Sequence, residues 1–114
     1  MTAELSVVIP THNSRDTVRS ILCLIDESCA GTRWEAVFVD DDSNDGTAEA
    51  VREFAKHDER VRCIKRIGRS GSISAALEGM LSCSAPVVAV IKPDLNLSSK
   101  ALPELVEHLQ ASDN

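Results

Sequence analysis

The sequence predicts a doubly wound α/β fold, a mostly parallel sheet built from four βα units in strand order 3-2-1-4. Three observations predict it. Four short runs rich in Val and Ile recur along the chain, each bounded by turn-forming residues. Between and after them lie segments whose apolar residues repeat at helical spacing. The strand runs are apolar nearly throughout, which calls for a sheet covered on both faces and joined by right-handed crossovers.

The first strand covers 5–10 and leads into Pro10-Thr11-His12-Asn13. Asn13 or Ser14 can accept a hydrogen bond from the free N–H groups of a helix start, and Val18, Ile21, Leu22 and Ile25 give that helix one apolar stripe. The second strand, 34–39, runs into Asp40-Asp41-Asp42-Ser43, with Asp45 as the cap of a helix carrying Ala48, Val51, Phe54 and Ala55. A third strand, 61–65, passes through Arg66-Ile67-Gly68-Arg69 to a helix that opens near Ser70-Gly71-Ser72. Its spacing predicts that Ile73, Ala76, Leu77, Met80 and Leu81 face the core. The fourth strand, 87–91, ends at Lys92-Pro93-Asp94-Leu95, and Ser98 or Ser99 opens a last helix with Leu102, Leu105, Val106 and Leu109 inward.

With 114 residues and 43% hydrophobic content the chain closes one core without disulfides, so 1–114 reads as a single domain. The net charge of -6 argues against binding nucleic acid mainly by phosphate neutralisation. An anionic ligand must therefore be held locally. No apolar run approaches the roughly 20 residues of a membrane span, and the first residues lack the basic start and apolar stretch of a signal peptide, so the expected location is cytoplasmic. Cys23, Cys29, Cys63 and Cys83 form no CxxC pair and are not spaced with His12, His57 and His108 as zinc ligands are, so reduced and mostly buried thiols are expected.

Ligands of such sheets bind beyond the carboxyl ends of the strands, which directs attention to the strand-ending segments. Residues 40–45 hold four carboxylates in six positions, and their repulsion has to be offset by donors or a cation. Asp41 can accept from a base N–H or from ribose hydroxyls; Asp45 can equally serve only as a helix cap, and Asp40 only as a brace for the loop. Arg66 and Arg69 flank Gly68 ahead of a helix start, where guanidinium and backbone N–H groups can meet one diphosphate. The same stretch can also be an ordinary solvated loop, since its spacing is neither GxGxxG nor a P-loop. Asp94 and Asn96 offer hard oxygen ligands for a magnesium or manganese ion, and Lys92 offers a point charge for phosphate; a plain turn stopped by Pro93 is the alternative.

Together these segments resemble the family 2 glycosyltransferases of the Rossmann-like GT-A fold, nearest to the polyprenol- and dolichol-phosphate mannosyl- and glucosyltransferases, from about residue 5 to about residue 109. Residues 6–13, Ser-Val-Val-Ile-Pro-Thr-His-Asn, resemble the family's opening strand and Pro-Thr-Tyr-Asn turn, with His12 at the usual aromatic. Residues 39–47 resemble Val-Asp-Asp-Gly-Ser-x-Asp-Gly-Thr, with Asp42 at the usual Gly. Residues 66–79 resemble the Arg-rich turn and Gly-Leu-Ser-x-Ala helix.

The resemblance implies binding of a nucleoside-diphosphate sugar, a UDP- or GDP-sugar, for transfer to an acceptor such as a polyprenyl phosphate. It implies that Pro10, Thr11 and Asn13 line the nucleotide pocket, that Asp41 contacts the base, and that Arg66 and Arg69 lie near the diphosphate. Asp94 would be the second acid of a metal-binding Asp-x-Asp, with Asn96 where a Gln often assists. Lys92 departs from that motif, because a protonated lysine has no lone pair for a metal. Either Lys92 supplies part of the cation's charge, or the chain is a catalytically inactive interaction or regulatory module. The family also continues into an acceptor-binding part, so the expectation is a domain that stops before it, with no general base assignable and with self-association or completion by another segment. A phosphoacceptor receiver domain fits poorly, because the third strand ends at Ile64-Lys65 without an acceptor Asp.

Overall fold

The computed structural model describes residues 3–67 and 71–91. In chain order it holds β1 (Leu5–Thr11), α1 (Arg15–Ser28), β2 (Trp34–Asp41), α2 (Thr47–His57), β3 (Val61–Arg66), α3 (Ser72–Leu81) and β4 (Val87–Val90). The four strands form one sheet in the order β3-β2-β1-β4, every neighbouring pair parallel, as the sequence predicts. Among the described residues no helix is long and apolar enough to cross a membrane. The last helix expected from the sequence lies outside the described residues.

Strand pleating sorts the side chains between two faces. Leu5, Val7, Ile9, Trp34, Ala36 and Phe38 pack with Val18, Ile21, Leu22 and Ile25 of α1 and Val51 of α2. All four stripe residues of α1 are buried, as their spacing predicts. Val8, Val37 and Val39 point to the other face and meet Ala75 of α3. The sheet is thus wound on both sides.

Three strands run further than their apolar cores. β1 extends to Thr11, β2 to Asp41 and β3 to Arg66, one or two residues past the expected ends. The reason is polar pairing across the ladder, with Thr11 opposite Asp40 and Asp41 opposite Arg66. β4 stops at Val90, one residue early, and its pairing with β1 ends at Val8. Pro10, which has no N–H to donate, therefore sits beyond the β4 ladder.

The helix α3 corrects the expected core stripe. Ile73, Leu77, Met80 and Leu81 are 79%, 56%, 44% and 87% exposed, while Ala75 is fully buried and Gly79 is also buried. Small side chains let the helix backbone lie close against the sheet: a Cβ on Gly79 would stand 2.5 Å from Val8 Cγ1 and 2.9 Å from Val39 Cγ2. The periodicity was that of a helix, but contact distance selected the small face.

The far end of the sheet, away from the strand-ending loops, is tied by Glu35 of β2. Its carboxylate accepts from the Ser6 hydroxyl, from the Ser84 N–H at 3.1 Å and hydroxyl at 3.2 Å, and from Arg62 Nη2 at 3.0 Å. Burial raises the pKa of this carboxyl, but the hydrogen bonds and the Arg62 charge outweigh it, so the group ionises below its usual value of 4.5. A depressed folded pKa stabilises the fold above the unfolded value, and that contribution is lost as pH falls through the folded one. Glu35→Gln is expected to cost about 1–3 kcal/mol at neutral pH and to flatten the acid side of the stability profile. Urea melts of both proteins at neutral and acid pH check this; equal midpoints at neutral pH would contradict it.

Candidate functional site

The carboxyl ends of β1, β2 and β3 form a rim in which the loops after β1 and β2 are stitched together. Asp40, fully buried, accepts from the Thr11 hydroxyl at 2.9 Å, the Ser43 N–H at 3.1 Å and the Ser43 hydroxyl at 2.5 Å. It braces the loop, and it does so with two hydroxyl donors besides the backbone. Ser43 Oγ in turn accepts from the Asn13 N–H at 2.7 Å, and Asn13 Oδ1 accepts from the Asn44 N–H at 2.9 Å. His12 Nδ1 lies 2.7 Å from the Asp41 carbonyl oxygen; because a carbonyl only accepts, that nitrogen carries the proton.

Asp45 caps two helices at once. Its carboxylate accepts from the Arg15 N–H at 3.2 Å and the Thr47 N–H at 3.1 Å, the first residues of α1 and α2, and from the Thr47 hydroxyl. The Thr47 hydroxyl, with those N–H groups, holds the Asp45 carboxyl below the usual carboxylate range. The residue at the cap position of α2 is Gly46, and at α1 it is Ser14, whose hydroxyl makes no capping bond. Ser14 instead donates its N–H to Thr47 Oγ1 at 2.9 Å, so this threonine joins the starts of both helices. The sequence alone assigns no role to Thr47 or Ser43; besides their places in the resembled motif, their signal is a hydroxyl two or three residues after an aspartate, the spacing of local side-chain-to-backbone bonds.

Two rim residues other than glycine hold left-handed backbone, Asn13 at φ 52° and Asp42 at φ 51°. Asn and Asp tolerate this region better than other side chains. At Asp42 the conformation explains why the resembled motif carries glycine there.

Asp41 and Arg66, cross-strand neighbours on β2 and β3, are brought together at the same rim. Arg66 Nε stands 2.9 Å from Asp41 Oδ1, with the residues only 8% and 4% exposed. The contact is coulombic: neither atom has a hydrogen-bond partner, because the N–H is not directed at the oxygen. Arg66 Nη2 donates to Ser74 Oγ at 2.9 Å, and Ser74 donates on to the Gly71 carbonyl at 3.1 Å, which links the pair to the first turn of α3.

Of the residues expected to line a pocket, Pro10 and Thr11 are buried in β1 beside β2, with the Thr11 hydroxyl committed to Asp40, and Asn13 is exposed on the rim. Arg69, Lys92, Asp94 and Asn96 lie outside the described residues. Among the described residues no group of three His, Cys, Asp or Glu side chains is placed to hold a metal. Strand alternation sends Asp40 and Asp41 to opposite faces, and Asp45 turns to the helix starts. The four cysteines are free, but only Cys29 is buried, Cys63 and Cys83 being half-buried and Cys23 exposed, which corrects the expectation of mostly buried thiols. Burial pushes the Cys63 thiol up to about 11, so it holds its proton at neutral pH.

Comparison with known proteins gives the rim a context. The family model described as glycosyl transferase family 2 matches residues 6–114. The chain is 34% identical over 107 residues to a dolichol-phosphate mannosyltransferase of Pyrococcus furiosus, covering 94% of this chain and 30% of that protein. It is 34% identical over 110 residues to an undecaprenyl-phosphate 4-deoxy-4-formamido-L-arabinose transferase of Pectobacterium atrosepticum, covering 91% and 33%. The chain thus spans about a third of the length of these relatives. Among solved structures it is similar to a mannosyltransferase from Pyrobaculum calidifontis in complex with GDP-Man and Mn2+, with TM-score 0.76 and 24% identity over 96% of this chain and 33% of that one. It is also similar to glucosyl-3-phosphoglycerate synthase from Mycobacterium tuberculosis in complex with Mn2+, UDP and glucosyl-3-phosphoglycerate, with TM-score 0.71 and 24% identity over 94% and 39%.

Proposed function

Because the chain belongs to glycosyl transferase family 2, we propose that it binds a nucleoside-diphosphate sugar, a UDP- or GDP-sugar, on the rim beyond β1, β2 and β3. In this reading it serves transfer of the sugar to a polyprenyl phosphate, peripheral to the membrane and on its cytoplasmic side, with a further segment or a second copy supplying what lies outside this rim. The observation that carries the reading is Asp41: a carboxylate more than nine-tenths buried at the carboxyl end of a parallel sheet, with one oxygen that lies beside the Arg66 charge but accepts no hydrogen bond. That oxygen suits an N–H donor of a base.

Pro10, Thr11 and Asn13 form the wall beside it, and Arg69 and Lys92 bring positive charge to the diphosphate, with Arg66 on the same rim. Charge held there stabilises the departing diphosphate while an acceptor oxygen attacks the anomeric carbon. A divalent ion, magnesium or manganese, would belong to Asp94 and Asn96. What supports an ion is the content of solved relatives, two of which were crystallised with Mn2+. A non-catalytic module gains no support from relatives whose names are those of transferases.

Calorimetric titration with UDP, GDP, UDP-glucose and GDP-mannose, with and without manganese, tests the reading. Binding of at least one nucleoside diphosphate is expected, with little gain from manganese, and Lys92→Asp is expected to make the binding manganese-dependent. Absence of binding at millimolar concentration for all four would refute it.

A further inference from the structure

We propose that Arg66 acts on the nucleotide through Asp41, as a positioning residue for the base-binding carboxylate and not as a ligand of the diphosphate. The inference rests on the nucleotide-binding reading above and assigns a division of labour within that site. Two guanidinium groups flank Gly68 in the sequence, and nothing in their spacing separates their roles.

The structure fixes the place of Arg66 by burial and direction. Arg66 is 4% exposed, lies within β3, and is opposite Asp41 in the β2–β3 register. Its Nε is held against Asp41 Oδ1 at 2.9 Å, and its Nη2 is bound to Ser74 Oγ at 2.9 Å. A buried guanidinium with Nε against a carboxylate and Nη2 bound to a serine has little freedom to swing toward a phosphate, and leaving Asp41 would strand a buried carboxylate.

The geometry also leaves the pair incomplete. Asp41 Oδ1 and Arg66 Nε are both close to one another and both without a hydrogen bond. A buried polar atom left unsatisfied is costly, so a ligand N–H offered to Asp41 recovers a bond that the empty protein lacks. In this arrangement Arg66 supplies the charge and Ser74 fixes the direction of the fork. Base selection then depends on three residues of three elements, β2, β3 and α3.

The test compares UMP, GMP, UDP and GDP by calorimetry in the 114-residue chain and in Arg66→Gln, Asp41→Asn and the double variant. For the better-bound base, Arg66→Gln is expected to weaken monophosphate and diphosphate by the same factor, about tenfold, the size of one charge-assisted hydrogen bond. The preference between UMP and GMP should shrink in parallel, which general loosening of the fold would not produce. In the Asp41→Asn background the same replacement should add little, because the two act as a unit. If Arg66→Gln melts too low to titrate, Arg66→Lys, which keeps charge without the fork, is expected to show the same pattern with a smaller loss. Loss confined to UDP and GDP, or losses that add in the double variant, would overturn the inference while leaving the nucleotide site standing. Wild-type protein that binds none of the four overturns the nucleotide reading and this inference with it.

Discussion

Asp40→Ala is expected to lower stability by about 3 kcal/mol or more, because three donors aimed at one fully buried carboxylate lose their acceptor together. Removing a charged acceptor costs more than a neutral one, and the truncation leaves a void between β1 and the loop after β2. For a domain of this size the corresponding fall in melting temperature is roughly 10 °C or more. Asp40→Asn tests the electrostatic share, since it keeps the shape but points an NH2 group at donors. It is expected to fall between the two proteins. Thermal melts followed by circular dichroism decide the matter, and an Asp40→Ala protein melting within a degree or two of wild type would show that the network contributes nothing.

Gly79→Val is expected to be as damaging for the opposite reason, which is excess volume. The Cβ alone would stand 2.5 Å from Val8 Cγ1, well inside van der Waals contact, and a branched side chain would drive α3 off Val8 and Val39. Alanine in a helix interior gains about 1 kcal/mol over glycine, whereas overpacking a rigid core costs roughly 1–3, so even Gly79→Ala is expected to destabilise. The valine variant should lose about 3 kcal/mol or more by the same strain. Pairing Gly79→Ala with Val8→Ala opens space at the contact and should return part of the loss. Denaturant midpoints of the single and double variants check this, and a stabilised Gly79→Ala would mean that the helix is free to shift. Since α3 also carries Ser74, its displacement would reach the Asp41–Arg66 pair through the bond to Arg66.

Much of the architecture was legible because the underlying signals are local. Val and Ile runs broken by turn residues marked the strands, and Val18, Ile21, Leu22 and Ile25 marked the buried side of α1. Crossover handedness and strands apolar on both faces called for a parallel doubly wound sheet, and the strand order expected with it is the one found. The segment 39–47 directed attention to the strand-ending rim, because four acids after a buried strand require donors or a ligand. The family resemblance rested on the same ordered segments.

A cap at Asp45 and a brace at Asp40 were among the roles the sequence offered, but the partners each acid finds on the rim were not legible. Asp40, Asp41 and Asp45 look alike in a string of letters, yet one braces a loop, one faces a buried arginine and one caps two helices. Their roles depend on where strand pleating points each side chain and on what a neighbouring strand or helix start offers there. Asp40 finds Thr11 only because β1 pairs with β2 in register, and Asp41 finds Arg66 only through the register with β3. The facing of α3 was misjudged on the same ground: a hydrophobic period marks a helix but does not tell how near the sheet lies.

By itself, then, the sequence determined the described elements, their order in the sheet and the family. Tertiary structure alone decided which aspartate is left with an unsatisfied oxygen, which arginine is locked beside it, and which side of α3 meets the sheet. The physical reason is range: periodicity and turn chemistry act within a few residues, whereas a buried ion pair and a close-packed glycine exist only when segments far apart in the chain, Asp41 with Arg66 and Gly79 with Val8 and Val39, are brought together.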